Sequence, residues 1–463
     1  MLYRPLKLIF FTVLGVLPAV LSAQTPPLSA TLPENFLPGL RDILHSALQQ
    51  SPQMIARDID LAAQEASRYQ SAAQEWPSLN GSASYFESKS AVATGVGAST
   101  ATSNKGVIYS LGLSQPIYHW GALQAATDIS HLQIKISECQ YADAYRQLAT
   151  MIRAQYLSLI MQKLQDRNAR FSLDQAKASL AVVQERFKNN SAVAGEITNA
   201  QLAVDDASLA ADRLAEEFAH AKRVLLLMAG LPELSDDSVP EEIPKPVYSA
   251  GTTGALMQDF GREGLDKTFQ AQVYDYQIKQ SDLNYRIAKY RLLPRLDLGL
   301  SVSEQNQTQI VGALVIQSPI LSDSVALTAN WSIFDGFATR GAKLGALASK
   351  RAAERNRQNY LDQTLEQARY LERQIGFAAR AMALAEVRFS SSETSLHQAE
   401  DNLKLRVGSQ ASVDQATASF YQWQSIAFSA RVDFFSRWSE YLSLLEIDPA
   451  LGNLPAHFNN NAK

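Results

Sequence analysis

Residues 325–340 read VALTANWSIFDGFATR, and within this stretch the periodicity changes once. Val325, Leu327, Ala329 and Trp331 alternate with Ala326, Thr328 and Asn330, the pattern of a half-buried strand. Past Asp335-Gly336 the spacing becomes seven, through Leu361, Ala368, Ile375, Met382, Phe389, Leu396 and Leu403. A row of small residues follows three positions later: Thr364, Ala378, Ala385, Ser392 and Ala399, with Leu371 its only large member. No proline interrupts 338–406, and a helix of that length would be about 100 Å long. A strand feeding so long a helix does not belong to an ordinary globular domain.

Working outward, the same unit is found twice. Residues 37–50 read as a short helix, and a longer amphipathic one runs to residue 75, where Trp76-Pro77 stops it. Residues 79–87 alternate as a strand, 88–106 are small and polar and predict a solvent loop, and 107–115 alternate again. A proline-free helix then spans 121–188, breaks at 189–195, and returns over 196–229 to a Gly230-Leu231-Pro232 cap. Further along come a helix to Leu293-Pro294, a strand at 295–303, a polar loop at 304–324 and the strand at 325–331. A helical hairpin over 338–446, with its break at Gly408, completes the series.

The heptad rows superpose with a shift of 216. Leu173, Leu180 and Phe187 fall on Phe389, Leu396 and Leu403, and Ile197, Val204, Ala211, Phe218 and Leu225 fall on Val413, Phe420, Ala427, Phe434 and Tyr441. Pro77 and Pro294 differ by 217, a slip of one residue. This is an internal duplication. The expected division is a first repeat over 24–231, a connector at 232–264 made irregular by Pro240, Pro244 and Pro246, a second repeat over 265–448, and a tail at 449–463.

Residues 1–23 read as a secretory signal peptide: Arg4 and Lys7, an apolar run over 8–21 broken by Pro18, then Leu21-Ser22-Ala23. Its removal takes the net charge from −4 to −6, which argues against nucleic acid as a partner. No cysteine follows the expected cleavage site to carry a lipid, and the single Cys139 has no partner for an internal disulfide. No later run is apolar enough for a transmembrane helix, so membrane entry would have to be made by strands.

The predicted fold is therefore mixed: long antiparallel coiled-coil helices joined to four transmembrane β-strands per chain. Each strand holds about nine residues, enough to cross a bilayer at a tilt, with one apolar face and one small, polar face. Four strands cannot close a membrane barrel, whose smallest form has about eight, and open edges in hydrocarbon are costly. The chain must share a barrel with copies of itself. Two copies would give eight strands with a plugged lumen, and three would give twelve strands that leave a passage. The strict seven-residue repeat implies left-handed supercoiling, and the chain reversals at 189–195 and Gly408 imply antiparallel pairs hanging below the barrel.

Several joints resemble the TolC-type outer-membrane channel family over nearly the whole mature chain. They are the helix–Trp76-Pro77–strand joint, Gln115-Pro116-Ile117-Tyr118, Trp331-Ser332-Ile333-Phe334-Asp335-Gly336, and Leu405-Arg406-Val407-Gly408 before Val413-Asp414. The resemblance implies a homotrimer in the outer membrane of a Gram-negative bacterium, with a twelve-stranded β-barrel above a helical barrel that extends through the periplasm. It implies a periplasmic adaptor (membrane fusion) protein docked at the helical tips, represented here by Arg186, Arg406, Val407 and Gly408. It also implies an inner-membrane transporter of the resistance-nodulation-division or ABC type, serving drug efflux or type I protein secretion. Asp414 matches a family aspartate that rings the periplasmic aperture. Gln410 stands where the best-known member has an arginine, Thr417 where it has a second aspartate and Leu405 where it has a tyrosine. Thr198-Asn199 fills the corresponding turn of the first copy without an acid. These departures imply a lower cation affinity at the mouth.

The chemistry of an enzyme is missing from the sequence. The six histidines are scattered without ligand spacing, and no phosphate-binding loop, nucleophile elbow or Cys/His pairing is present, so neither a metal site nor a cofactor is expected. The competing reading is a structural coiled-coil protein of the cell surface without channel activity. Seven unclustered methionines give no support to copper or silver export, and the duct itself does not reveal whether drugs or proteins pass.

Overall fold

The computed structural model describes residues 32–94, 98–311 and 314–454; the expected signal peptide and the residues after 454 lie outside these. Helices α1 (Pro38–Gln50) and α2 (Pro52–Ala73) lead into a hairpin of β1 (Ser78–Thr94) and β2 (Ala98–Tyr118). The helical hairpin α3 (Ala122–Lys188) and α4 (Ala194–Ala229) follows, then a connector holding α5 (Ala250–Asp259). The second unit consists of α6 (Phe269–Tyr290), β3 (Arg295–Val311), β4 (Leu314–Asn330), α7 (Ala338–Lys404) and α8 (Gln410–Leu444). Helices α3 and α7 have 67 residues each, about 100 Å.

The duplication carries through to backbone geometry. The starts of α3, α7 and of α4, α8 differ by 216, and both ends of α2 and α6 differ by 217. Among the described residues, the eight of positive φ form four pairs with the same offset of 216: Trp120 with Gly336, Gly121 with Phe337, Asn190 with Arg406, and Gly230 with Glu446. The first two pairs show the local physics. The switch from strand to helix needs two consecutive left-handed residues, and each copy supplies one glycine and one aromatic, in opposite order. Each aromatic packs edge-on against a ring upstream, Trp120 on Tyr118 at 4.9 Å and Phe337 on Phe334 at 5.4 Å.

Both heptad rows of α7 are buried through its middle, while Phe389, Leu396, Ala399 and Leu403 toward the tip are half-buried. Leu361, Ala368, Ile375 and Met382 form one row, and Thr364, Leu371, Ala378, Ala385 and Ser392 the other. The small residues let α6 and α8 approach closely. Around the chain the helices lie side by side, with α3 in contact with α2, α4, α6 and α8, and α7 in contact with α6 and α8. Two cores sit where the hairpins meet α1, the connector and the C-terminal segment. One gathers Leu40, Leu44, Tyr145, Leu148, Ile152 and Tyr156, and the other Phe260, Ile375, Phe434, Trp438 and Tyr441.

The four strands form one antiparallel sheet in the order β1-β2-β3-β4, leaving β1 and β4 as edges. Leu79, Leu111, Leu113, Leu300, Val325 and Leu327 project from one face with nothing over them, Val325 and Leu327 at 75% and 68% exposure. The other face carries a row of serines running through all four strands, Ser82, Ser110, Ser303 and Ser322, paired in succession.

Two expectations are corrected. The stretches 88–106 and 304–324, read as solvent loops, are strand throughout their described residues, so β1, β3 and β4 reach 17 residues and β2 reaches 21. An antiparallel ladder is held by backbone bonds and continues past the apolar band, through pairs such as Ser88 with Asn104 and Gln307 with Ser318. The connector, read as irregular, becomes helical at α5 and continues into a π-helical turn, Phe260–Gly264. The prolines that prevent a helix end at Pro246, and apolar Leu256, Met257 and Phe260 then find the second core.

Candidate functional site: strand-lined passage and helical tips

At the top, the hydroxyl-bearing sheet face is closed by neutral side-chain bonds, Ser82 with Ser110 and Ser301 with Ser324, each at 2.8 Å. Where strands meet helices, the joints are bolted by indoles. Trp120 Nε1 donates to the Pro294 carbonyl at 2.8 Å, and Trp331 Nε1 to the Leu292 carbonyl at 3.0 Å. His119 of the first copy meets Asp297 of the second at 2.8 Å, and Asn330 Nδ2 donates to the same carboxylate at 3.3 Å. Below the joints, a cleft of about 710 Å³ between α2, α3 and α6 is lined by four acids (Glu65, Asp128, Glu138, Asp282) and four bases (Arg68, Lys135, Lys279, Arg286). Its charges balance, and it selects neither sign. Sequence reading missed it because its residues lie on three helices far apart in the chain.

At the far end stand the two hairpin turns. In the first, Arg186 is occupied within its own hairpin: Nη2 donates to the Ser191 carbonyl at 3.1 Å and Nη1 lies 3.6 Å from Glu196. In the second, Arg406 takes positive φ, and the amides of Val407 and Gly408 both donate to the Asn402 carbonyl, at 2.9 and 3.0 Å. That bonding turns the Val407 and Leu405 side chains out into solvent. The tips thus present apolar residues beside cationic ones.

Gln410, Asp414 and Thr417 share one face of α8, four and three residues apart. Gln410 Nε2 donates to Asp414 Oδ1 at 2.9 Å, and Thr417 Oγ1 donates to the Val413 carbonyl at 2.8 Å. Thr198 holds the position of Asp414 in the first copy and donates to the Ala194 carbonyl at 3.3 Å, with Asn199 exposed beside it. The amide–acid pair reappears there one heptad further from the tip, with Gln201 Nε2 donating to Asp205 Oδ1 at 3.0 Å. Counting seven from Thr198 would have found it in the sequence, where Asp205 was read only as part of a solvated face.

Residues 43–231, ending where the first copy ends, match the family model described as outer membrane efflux protein. The fold is that of the TolC-type outer-membrane channels. A membrane protein from Pseudomonas aeruginosa superposes with a TM-score of 0.63 at 19% identity, covering 92% of this chain and 98% of that one. The outer membrane protein VceC from Vibrio cholerae gives 0.62 at 17% identity, covering 88% and 96%. The CmeC outer membrane channel from Campylobacter jejuni gives 0.65 at 14%, covering 96% and 99%. Among curated proteins none matches in sequence. The chain is thus similar over residues 43–231 to outer membrane efflux proteins, and it shares its fold with proteins of the outer membrane.

Proposed function

We propose that three copies of this chain form an exit duct in the outer membrane for a tripartite export system, passing drugs or other small molecules handed on by an inner-membrane transporter. The observation that carries this reading is the sheet. Its apolar face has no covering element, its opposite face is hydroxylated, and its two edge strands are unpaired. In lipid such edges must be closed by further strands, and three sets of four make a barrel wide enough to conduct. A periplasmic adaptor would engage the tips at Arg186, Arg406, Val407 and Gly408, and Asp414 with Gln410 and Thr417 would form the aperture, Thr198 and Asn199 completing the ring between them. The repeats, residues 24–231 and 265–448, would each supply half of one chain's share of the tube, joined by the 232–264 connector. A secreted protein as cargo, with an ABC-type transporter, is an outcome of the same tests.

The test is conductance. Purified protein in a planar bilayer should give discrete single-channel steps, and light scattering of the detergent-solubilised protein should give a mass of three chains. Absence of steps from a folded protein would favour the non-conducting coiled-coil reading.

A further inference from the structure

The two copies within the chain lie side by side, so the contact between them can be transferred to the two open edges. Paired positions of β1 and β2 have residue numbers that add to 192, and those of β3 and β4 to 625. The difference, 433, is the sum of the offsets 217 for β1 to β3 and 216 for β2 to β4, so the duplication preserves hairpin register to the residue. Between the copies, β2 and β3 pair with numbers that add to 413 over residues 102–116 of β2. Carrying that contact forward by 216 on one strand and back by 217 on the other gives 412 for a pairing of β4 with β1.

We infer that a second copy of this chain pairs its β1 with β4 in this register, which sets Leu327 opposite Tyr85 of the partner subunit and Thr328 opposite Ser84 of the partner subunit. The inference rests on the barrel reading above and adds to it which residues meet. The faces agree independently. Leu327 and Tyr85 both lie on the apolar face, and Thr328 and Ser84 both on the hydroxylated one. A slip of one residue would set apolar against hydroxylated positions, so face matching permits only even sums, of which 410 and 414 are the nearest to 412. The duplication selects among them.

The helices make the same case. Where α3 meets α8 inside the chain, Asn168 Nδ2 donates to Ser425 Oγ at 3.1 Å. The offset of 216 carries these positions to Leu384 on α7 and Leu209 on α4, which are 56% and 70% exposed on the two edge helices. Beside Leu209 is a hollow of about 370 Å³ lined by α4 residues alone, among them Ala210 and Leu214. A polar contact inside the chain becomes an apolar pair at its edges, as fits a surface that is covered only on assembly.

Disulfide trapping tests the register. In a Cys139→Ala background, Leu327→Cys with Tyr85→Cys and Thr328→Cys with Ser84→Cys place paired cysteines at successive rungs. Rungs alternate in spacing, so one of the two suits a disulfide. Oxidation should join chains into a covalent ladder of up to three. The controls Leu327→Cys with Ala83→Cys and Leu327→Cys with Glu87→Cys, for sums of 410 and 414, should cross-link at least tenfold less. Leu384→Cys with Leu209→Cys reports on the helical seam by the same readout. A control pair that outruns both test pairs would overturn the register while leaving the barrel intact, as would failure of every pair in protein whose mass is three chains. Failure of every pair in protein of one-chain mass would overturn the barrel reading itself.

Discussion

Glu446 caps Phe269: both carboxylate oxygens stand 2.9 Å from the backbone nitrogen that opens α6. Glu446 occupies the left-handed position that Gly230 holds in the first copy. There the end of α1 runs so close that a Cβ on Gly230 would lie 1.9 Å from the Gln50 carbonyl oxygen, and α2 opens with Pro52, which has no N–H to satisfy. One bend is thus served by two chemistries, a close approach in the first copy and an acid cap in the second.

Burial pushes the Glu446 carboxyl up from about 4.5 to about 8, Asp143 adding to the effect while the Phe269 amide and Arg146 oppose it. The folded state then holds a proton that the unfolded chain has released. Stability from this group is fully present below pH 4.5 and is lost as the pH rises through 8. Thermal unfolding in detergent should show a midpoint falling between those limits, and Glu446→Gln should flatten that slope. An unchanged slope in the variant would assign the pH dependence elsewhere.

Arg153 of α3, 1% exposed, stands at a buried polar junction. Its Nη2 donates to Glu34 Oε1 at 2.6 Å and to Asp448 Oδ1 at 2.8 Å, tying both ends of the described chain to the middle of the hairpin. Burial alone would push the guanidinium down, but Asp448 and Glu34 hold it above its usual value. Arg153→Met strands two buried acids and should cost about 3–5 kcal/mol. Adding Glu34→Gln and Asp448→Asn should recover most of that loss in chemical denaturation, a recovery that a simple packing defect would not show.

These two junctions mark the limit of what the sequence disclosed. Heptad rows, strand alternation and the offset of 216 were legible because each records burial along one element, repeated at a fixed period. Arg153 meets Glu34 and Asp448 across 119 and 295 residues, and no periodicity encodes that meeting. Strand ends were misplaced because polar residues pair in a ladder as well as apolar ones. The left-handed Trp120 and Phe337 were hidden because each is an aromatic where glycine is the usual signal. At the tips the sequence located Asp414, but not its bond to Gln410 nor its counterpart Asp205.

The assignment of sheet faces predicts opposite results for lysine on its two sides. Leu327→Lys and Leu298→Lys should each cost about 2–4 kcal/mol at the bilayer midplane. Ser303→Lys, on the serine row, should fold in comparable yield and instead lower cation preference in the open channel. Folding yield into lipid vesicles and reversal potential are the two readouts, and a loss at Ser303 with unchanged yield at Leu327 and Leu298 would mean the faces are reversed.

The last prediction concerns charge at the mouth. Asp414 lies in the first turns of α8, beside the second hairpin turn, and Gln410 holds its carboxylate from one turn below. Three chains would set three such groups around one axis, and a ring of acids favours cations. An acid near a helix start also stabilises the helix, by about 0.3–1 kcal/mol, so loss of stability alone does not distinguish a pore residue from a cap. Selectivity does. Asp414→Asn should move the reversal potential in asymmetric salt toward zero and weaken block by multivalent cations. Asp205 lies seven residues beyond the equivalent of Asp414 on the same helix face, about 10 Å deeper, and Asp205→Asn should produce a smaller shift in the same direction. Gln410→Ala leaves both acids in place and frees only the Asp414 carboxylate, so it should alter block kinetics more than selectivity. A reversal potential identical to wild type in both aspartate variants, with channels still open, would remove α4 and α8 from the lining of the aperture.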